Sequence, residues 1–169
     1  MIRDWIWHLD EQVSHKVRTV LDRVSIVPVL TIVAHSGDSA VVFPVLGLLW
    51  WRAGLHVSSV FLLGPAAALL SMLCVALVKL VFRRARPSGD WGTLCRKADP
   101  HSFPSGHAAR TMALAVSVVC VGWPGWGGLL VLWSILVGFA RVGLAVHWSL
   151  DVAVGWVFGI AAGIVLTAM

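Results

Sequence analysis

The sequence predicts an all-α protein, a polytopic bundle of transmembrane helices, and three observations carry that expectation. Of its 169 residues 59% are hydrophobic and only 12% charged, with a mean hydropathy of +0.87; a soluble globular chain carries about 25% charged residues. Ten Trp and no Tyr suit a chain whose indoles sit at lipid–water boundaries. The charges are segregated: between Ser25 and Val78 only Asp38 and Arg52 are charged, and after Arg110 only Arg141 and Asp151. This composition excludes a disordered chain and a water-soluble monomer. The net charge of +5, gathered in this way, is not the basic face of a nucleic-acid binder. It reads as cations collected at one membrane face, toward an anionic ligand or anionic headgroups.

Taken in order, residues 1–24 form one unit and 25–169 a transmembrane unit. In the first, Ile2, Ile6, Leu9, Val13, Val17 and Val20 recur every three or four residues between polar ones. That is an amphipathic helix which either lies in the membrane interface, anchored by Trp5 and Trp7, or packs on the protein's own core. Asp4, Asp10, Glu11, Lys16 and Arg18 exclude a secretory h-region there. From Ser25 an apolar run is interrupted at His35-Ser36-Gly37-Asp38, giving a short re-entrant piece and then a span over Ser39–Trp51. Further spans are expected over Val57–Phe82 and Ser105–Trp123, then, after a tight turn at Pro124-Gly125, to Val146, and over Ser149–Met169. The total is about five spans, each judged against the roughly 20 residues that cross a bilayer. Between the second and third lies an irregular loop, residues 83–104, with Pro87, Gly89, Gly92, Pro100 and Pro104; long loops in compact proteins are usually functional. Cys74, Cys95 and Cys120 indicate no disulfide framework.

Following the chain through five spans brings the N-terminal helix, the long loop, the Arg141–His147 turn and the start of the last span to one face. Three clusters gather there. Lys79, Arg83 and Arg86 fall at i, i+4 and i+7, one helical face that Pro87 ends; alone, such cations are also ordinary membrane anchors. Next, Pro104-Ser105-Gly106-His107 opens a helix with Ser105 as N-cap, so free N–H groups and the positive dipole end suit a phosphate, which Gly106 lets the backbone approach. Third, Arg141, His147 and Asp151 are costly in a membrane and functional by default. There Asp151, at i+4, can accept from one ring nitrogen of His147 and fix its tautomer.

Read together, Lys79-x6-Arg86-Pro87, Pro104-Ser105-Gly106-His107 and Arg141-x5-His147-x3-Asp151 resemble the type-2 phosphatidic acid phosphatase (lipid phosphate phosphatase) superfamily. The resemblance runs from about residue 36 to the C-terminus and is closest to small bacterial integral-membrane members. It implies the active-site architecture shared with vanadium haloperoxidases, and a core in which six spans are common. It also implies His147 as nucleophile held by Asp151, His107 as general acid and then base, and a phosphate set of Lys79, Arg86, Ser105, Gly106 and Arg141. Arg83 and Arg84, with Arg96 and Lys97, are candidate headgroup contacts. No cofactor and no metal are implied. The family's usual Ser before the third-motif arginine is Ala140 here.

The implied partner is a lipid phosphate in the bilayer: phosphatidic acid, phosphatidylglycerophosphate, a polyprenyl phosphate or diphosphate, or a phosphosugar–polyprenyl lipid. Oligomeric state is not legible. Two other classes use the same residues. One is a metallohydrolase with His101, His107, His147 and Asp151 as ligands, which the phosphate-directed cations oppose; the other is a transporter or scaffold with structural ion pairs. Counting Lys and Arg alone puts the charged face in the cytoplasm, whereas the resemblance implies the extracytoplasmic side of a bacterial inner membrane. We take the latter, because the loop cations are assigned to phosphate and four acids balance the N-terminal helix.

Overall fold

The computed structural model describes residues 2–23, 26–52, 59–88 and 99–169. Cys95, Arg96 and Lys97, in the middle of the long loop, lie outside the described residues. The helices are α1 (Ile2–Arg23), α2 (Val27–Ser36), α3 (Ser39–Arg52), α4 (Ser59–Phe82), α5 (Gly106–Cys120), α6 (Pro124–Gly143) and α7 (Ser149–Thr167). No strand occurs among the described residues; an isolated bridge pairs Ala85 with His101.

The centre of the bundle is α5. Ten of its residues, from Ala108 to Val118, are buried, and α4, α6 and α7 pack around it. Glycines every four residues on α7 bring it against α5. A Cβ on Gly155 would stand 2.5 Å from the Ser105 carbonyl oxygen, one on Gly159 2.4 Å from that of Ala109, and one on Gly163 2.8 Å from Val116 Cβ. Without lipid-excluded water to drive them together, membrane helices associate through such small-residue contacts. The close approach docks the start of α7 on the start of α5, where the Ser105 N–H donates to the Asp151 carbonyl at 2.8 Å.

The α4 and α6–α7 segments are long and apolar enough to cross a membrane, and the α2–α3 pair, bent by 56°, makes a fourth span if counted as one. The expected third span, α5, has 15 residues, about 22 Å of helix against a hydrocarbon core of ~30 Å. Its neighbours are helices rather than lipid, so its own length is less constrained. Two boundaries differ from expectation. Pro124 does not sit in a turn but opens α6, where its missing N–H costs nothing; the turn is made by Gly122 at φ 95°. And α4 stops at Phe82, before Pro87, because Arg83 takes φ 45°.

An inverted amphipathicity marks α1. Asp10 and Ser14 are buried against the start of α7, where Asp10 Oδ1 accepts from the Leu150 N–H at 2.8 Å and Ser14 Oγ from the Ser149 N–H at 2.8 Å. Its apolar residues Ile2, Trp5, Ile6, Leu9 and Val13 face outward.

Candidate active site

The site forms where the end of α4, the N-terminus of α5 and the α6–α7 turn meet. His147, in that turn, is 1% exposed. Arg86 Nη1 lies 3.1 Å from its Nε2 and also donates to the Val146 carbonyl at 2.9 Å. A guanidinium has only donors, so Nε2 must carry the lone pair and Nδ1 the proton. Nδ1 faces Asp151 Oδ2 at 3.4 Å, a long contact. Burial first, then Arg86, Arg141 and Lys79, hold the His147 imidazole well below its ordinary pKa of 6.5, so it is neutral.

Asp151 is wholly buried and is more than a partner for His147. Its Oδ2 accepts from the Trp148 N–H at 2.9 Å, capping α7, and its Oδ1 from Arg84 Nη1 at 3.0 Å. The same Arg84 nitrogen donates to Asp10 Oδ2 at 2.6 Å. Arg84 is 3% exposed and stacks on Trp7 and Trp148 at 5.1 and 5.2 Å. The expectation that Arg84 contacts headgroups is therefore corrected: two buried carboxylates draw it inward. Arg83 diverges from it, exposed, with Nε on the Leu80 carbonyl at 3.0 Å. The expected shared face of Lys79, Arg83 and Arg86 is lost because the helix ends between them.

Lys79 and Arg86 nevertheless converge on Asp99. Lys79 Nζ donates to Asp99 Oδ2 and to the His101 carbonyl at 3.0 Å, while Arg86 donates to Asp99 Oδ2 at 2.9 Å and to its carbonyl at 2.7 Å. Burial pushes the Asp99 carboxyl up, but Lys79 and then Arg86 outweigh it and hold the group ionised below its ordinary value. Ser105 is the N-cap of α5 by position, yet its hydroxyl makes no capping bond; Ser105 Oγ is buried and without a hydrogen-bond partner among the described residues. A Cβ on Gly106 would meet only Val75, at 3.8 Å, so the space over this N-terminus is open. Arg141, at the end of α6, is 4% exposed, and its carbonyl accepts from the His147 N–H at 3.2 Å. Ala140 is buried in an apolar cluster with Leu30, Ala34, Leu144 and Val146.

His107, on the first turn of α5, has its Nε2 2.6 Å from Asp38 Oδ1. Among the described residues no three His, Cys, Asp or Glu side chains are grouped to hold a metal.

The family model described as the PAP2 superfamily matches residues 59–169, which contain all three motifs. The chain belongs to this superfamily. The crystal structure of LpxE from Aquifex aeolicus superposes with a TM-score of 0.74 at 26% identity, covering 95% of this chain and 96% of that one. The Arabidopsis thaliana protein named "Probable lipid phosphate phosphatase beta" is 37% identical over 113 residues, 65% of this chain and 52% of its own length. An undecaprenyl-diphosphatase of Sulfolobus acidocaldarius is 39% identical over 64 residues, 37% of this chain and 31% of its own length. This chain spans about half the length, or less, of these two curated relatives. With its apolar helices it is an integral membrane protein of the PAP2 fold.

Three acids at this PAP2 site were not anticipated as such: Asp10, Asp38 and Asp99. Asp38 did carry a signal, being the single acid in the long apolar stretch between Ser25 and Val78. Asp10 and Asp99 sit in charged segments where nothing distinguishes them from solvated residues.

Proposed function

We propose that this chain is a membrane phosphatase that hydrolyses a phosphomonoester or diphosphate of a membrane lipid through a phosphohistidine intermediate. The observation that carries the reading is the Arg86–His147 contact of 3.1 Å, which leaves the Nε2 lone pair as the nucleophile and sets a phosphate-binding cation beside it. Nε2 attacks phosphorus as the P–O bond to the lipid breaks, and His107 gives the departing oxygen its proton. Water then attacks the phosphohistidine, His107 takes a proton from it, and phosphate leaves. Lys79, Arg86 and Arg141, with the Ser105 hydroxyl and the N–H groups at Gly106, hold the equatorial oxygens; a bidentate guanidinium fits them well. These cations supply the charge stabilisation, so the chemistry calls for no metal. The substrate's phosphate takes over from the Asp99 carboxylate as their partner.

A lipid is favoured over a soluble ester by the setting. An apolar cleft of about 570 Å³ between α3, α5 and α6 is lined by Val41, Leu46, Leu114, Trp126 and Trp133. Its wall includes Ser36, two residues from Asp38, so a lipid tail can lie there with its head toward His107. The outward apolar face of α1 suits the membrane interface, and exposed Arg83 suits an anionic headgroup. The extracytoplasmic face of a bacterial inner membrane is our assignment for the site.

Phosphate release in detergent, measured over a panel of lipid phosphates with excess EDTA, tests this beside His147→Ala. EDTA-resistant release that disappears in the variant is the expected result. Release abolished by EDTA would move the reading to a metallohydrolase, and no release from any lipid would move it to a scaffold or transporter.

A further inference from the structure

The break between α2 and α3 carries more than a bend. Residues 36–39 around it are fixed by α5 and α6. Trp133 Nε1 donates to Ser36 Oγ at 2.8 Å, and Arg110 donates to the Gly37 carbonyl and, at 2.6 Å, to Ser39 Oγ. A Cβ on Gly37 would stand 2.9 Å from Val137 Cγ1, so a glycine is what lets the break lie against α6. The Asp38 carbonyl accepts from the Val41 and Val42 N–H groups at 3.0 and 2.9 Å, opening α3. The Asp38 side chain takes no part in this capping. It is committed elsewhere: Oδ1 to His107 Nε2 at 2.6 Å and Oδ2 to His35 Nδ1 at 2.8 Å.

An ionised carboxylate only accepts hydrogen bonds. His107 must therefore keep a proton on Nε2, which leaves Nδ1 as the atom that can gain and lose one. This mirrors His147, where Nδ1 keeps its proton beside Asp151 and Nε2, facing the Arg86 guanidinium, carries the lone pair. The titratable and charged groups around His107 are Arg110 on its own helix, Arg141 from α6, the neutral His147 from the α6–α7 turn and Asp38 from the break. Burial first, and then the Arg141 and Arg110 guanidinium groups, disfavour an imidazolium there; Asp38 is the member of this set that favours it.

We propose that Asp38 is the positioning residue of His107, fixing Nε2 as its permanent N–H, directing Nδ1 to the leaving oxygen and sustaining the imidazolium that protonates it. The proposal rests on the phosphatase reading above. In the first step the Nδ1 proton passes to the lipid oxygen as its bond to phosphorus breaks and the bond from His147 Nε2 forms. In the second, a proton of the attacking water returns to Nδ1 as the phosphorus–nitrogen bond breaks. Nε2 stays protonated on Asp38 throughout. His35, on the far oxygen, holds the carboxylate in plane.

The test compares two substrates in the full-length protein in detergent: dioctanoyl phosphatidate, whose alkoxide needs a proton to leave, and p-nitrophenyl phosphate, whose phenolate does not. Asp38→Asn should lower kcat/KM, which reports the steps through departure of the leaving group, by about 10–100-fold on the phosphatidate, within the range a general acid supplies, and change kcat/KM on p-nitrophenyl phosphate by less than about 3-fold. The basic limb of kcat/KM on the phosphatidate should move to lower pH, and Asp38→Glu should restore part of both losses. Equal losses on the two substrates, or an unmoved basic limb, would show Asp38 to be merely structural and overturn the proposal. If Asp38→Asn does not yield monodisperse protein, Asp38→Glu decides by the same substrate ratio. Should the wild type release phosphate from neither ester nor any lipid of the panel, the phosphatase reading itself falls and takes this proposal with it; hydrolysis by the wild type with an indifferent Asp38→Asn sinks the proposal alone.

Discussion

Replacing Arg84 by methionine removes the one cation between Asp10 and Asp151 while keeping most of the side chain's bulk. Both carboxylates are buried, at 7% and 0% exposure, and accept from the same Arg84 nitrogen at 2.6 and 3.0 Å. Breaking a buried ion pair by deleting one partner costs about 3–5 kcal/mol, because the remaining charge is left without compensation. Two charge-assisted hydrogen bonds at about 1.5–3 kcal/mol each give the same scale. At about 2–4 °C per kcal/mol for a chain of this size, the thermal midpoint followed by Trp fluorescence should drop by roughly 6–20 °C. Turnover should fall with it, since Arg84 holds the carboxylate behind His147. Adding Asp10→Asn to Arg84→Met should recover at least about 1 kcal/mol, because Asp10 then no longer needs a countercharge. A midpoint within about 2 °C of wild type, with only the KM for anionic lipids raised, would refute the reasoning. Arg84 would then be a headgroup contact after all.

The neutral state of His147 has a signature of its own. Burial, reinforced by Arg86, Arg141 and Lys79, lowers its pKa well below 6.5. The folded protein therefore binds fewer protons there than the unfolded chain as pH drops below 6.5, and stability falls on acidification below that value at up to about 1.4 kcal/mol per pH unit. In 15N-histidine-labelled protein the His147 ring resonances should stay neutral through pH 6.5; a midpoint at or above 6.5 would contradict the geometry. In the bundle, Gly159→Leu forces a side chain where a Cβ already stands 2.4 Å from the Ala109 carbonyl oxygen. Overpacking of at least about 1–3 kcal/mol is expected, read as a lowered thermal midpoint together with lost turnover, since separating α7 from α5 also separates Asp151 from Ser105. A variant with wild-type midpoint would mean the α5–α7 contact is looser than described.

Much of this protein is written along the chain. Scarcity of charge specifies a membrane bundle, because each ion in hydrocarbon is costly enough that few are retained without a task. The same economy made Arg141 and Asp151 conspicuous. The three motifs were legible for a related reason: each holds several chemistry-bearing residues within a short stretch at a helix end or a turn, although for Lys79, Arg83 and Arg86 the helical spacing did not survive the end of α4 at Phe82. The break at His35–Asp38 was legible too, as polar residues inside an apolar run.

What the chain could not declare were partnerships between distant segments. Arg83 and Arg84 are adjacent and alike in sequence, yet Arg83 is exposed and Arg84 buried, because the positive φ at Arg83 turns the chain and two acids, 74 and 67 residues from Arg84, neutralise it. Likewise Asp38 meets His107 across 69 residues, and Asp99 meets Lys79 across 20. Local periodicity determines which face a side chain is on; it carries no information about which carboxylate arrives there. In this protein composition and motif determined the bundle, the membrane and the candidate site residues, and only the packing of α1, the α2–α3 break and the loop onto the α5–α7 pair decided which charge is paired with which.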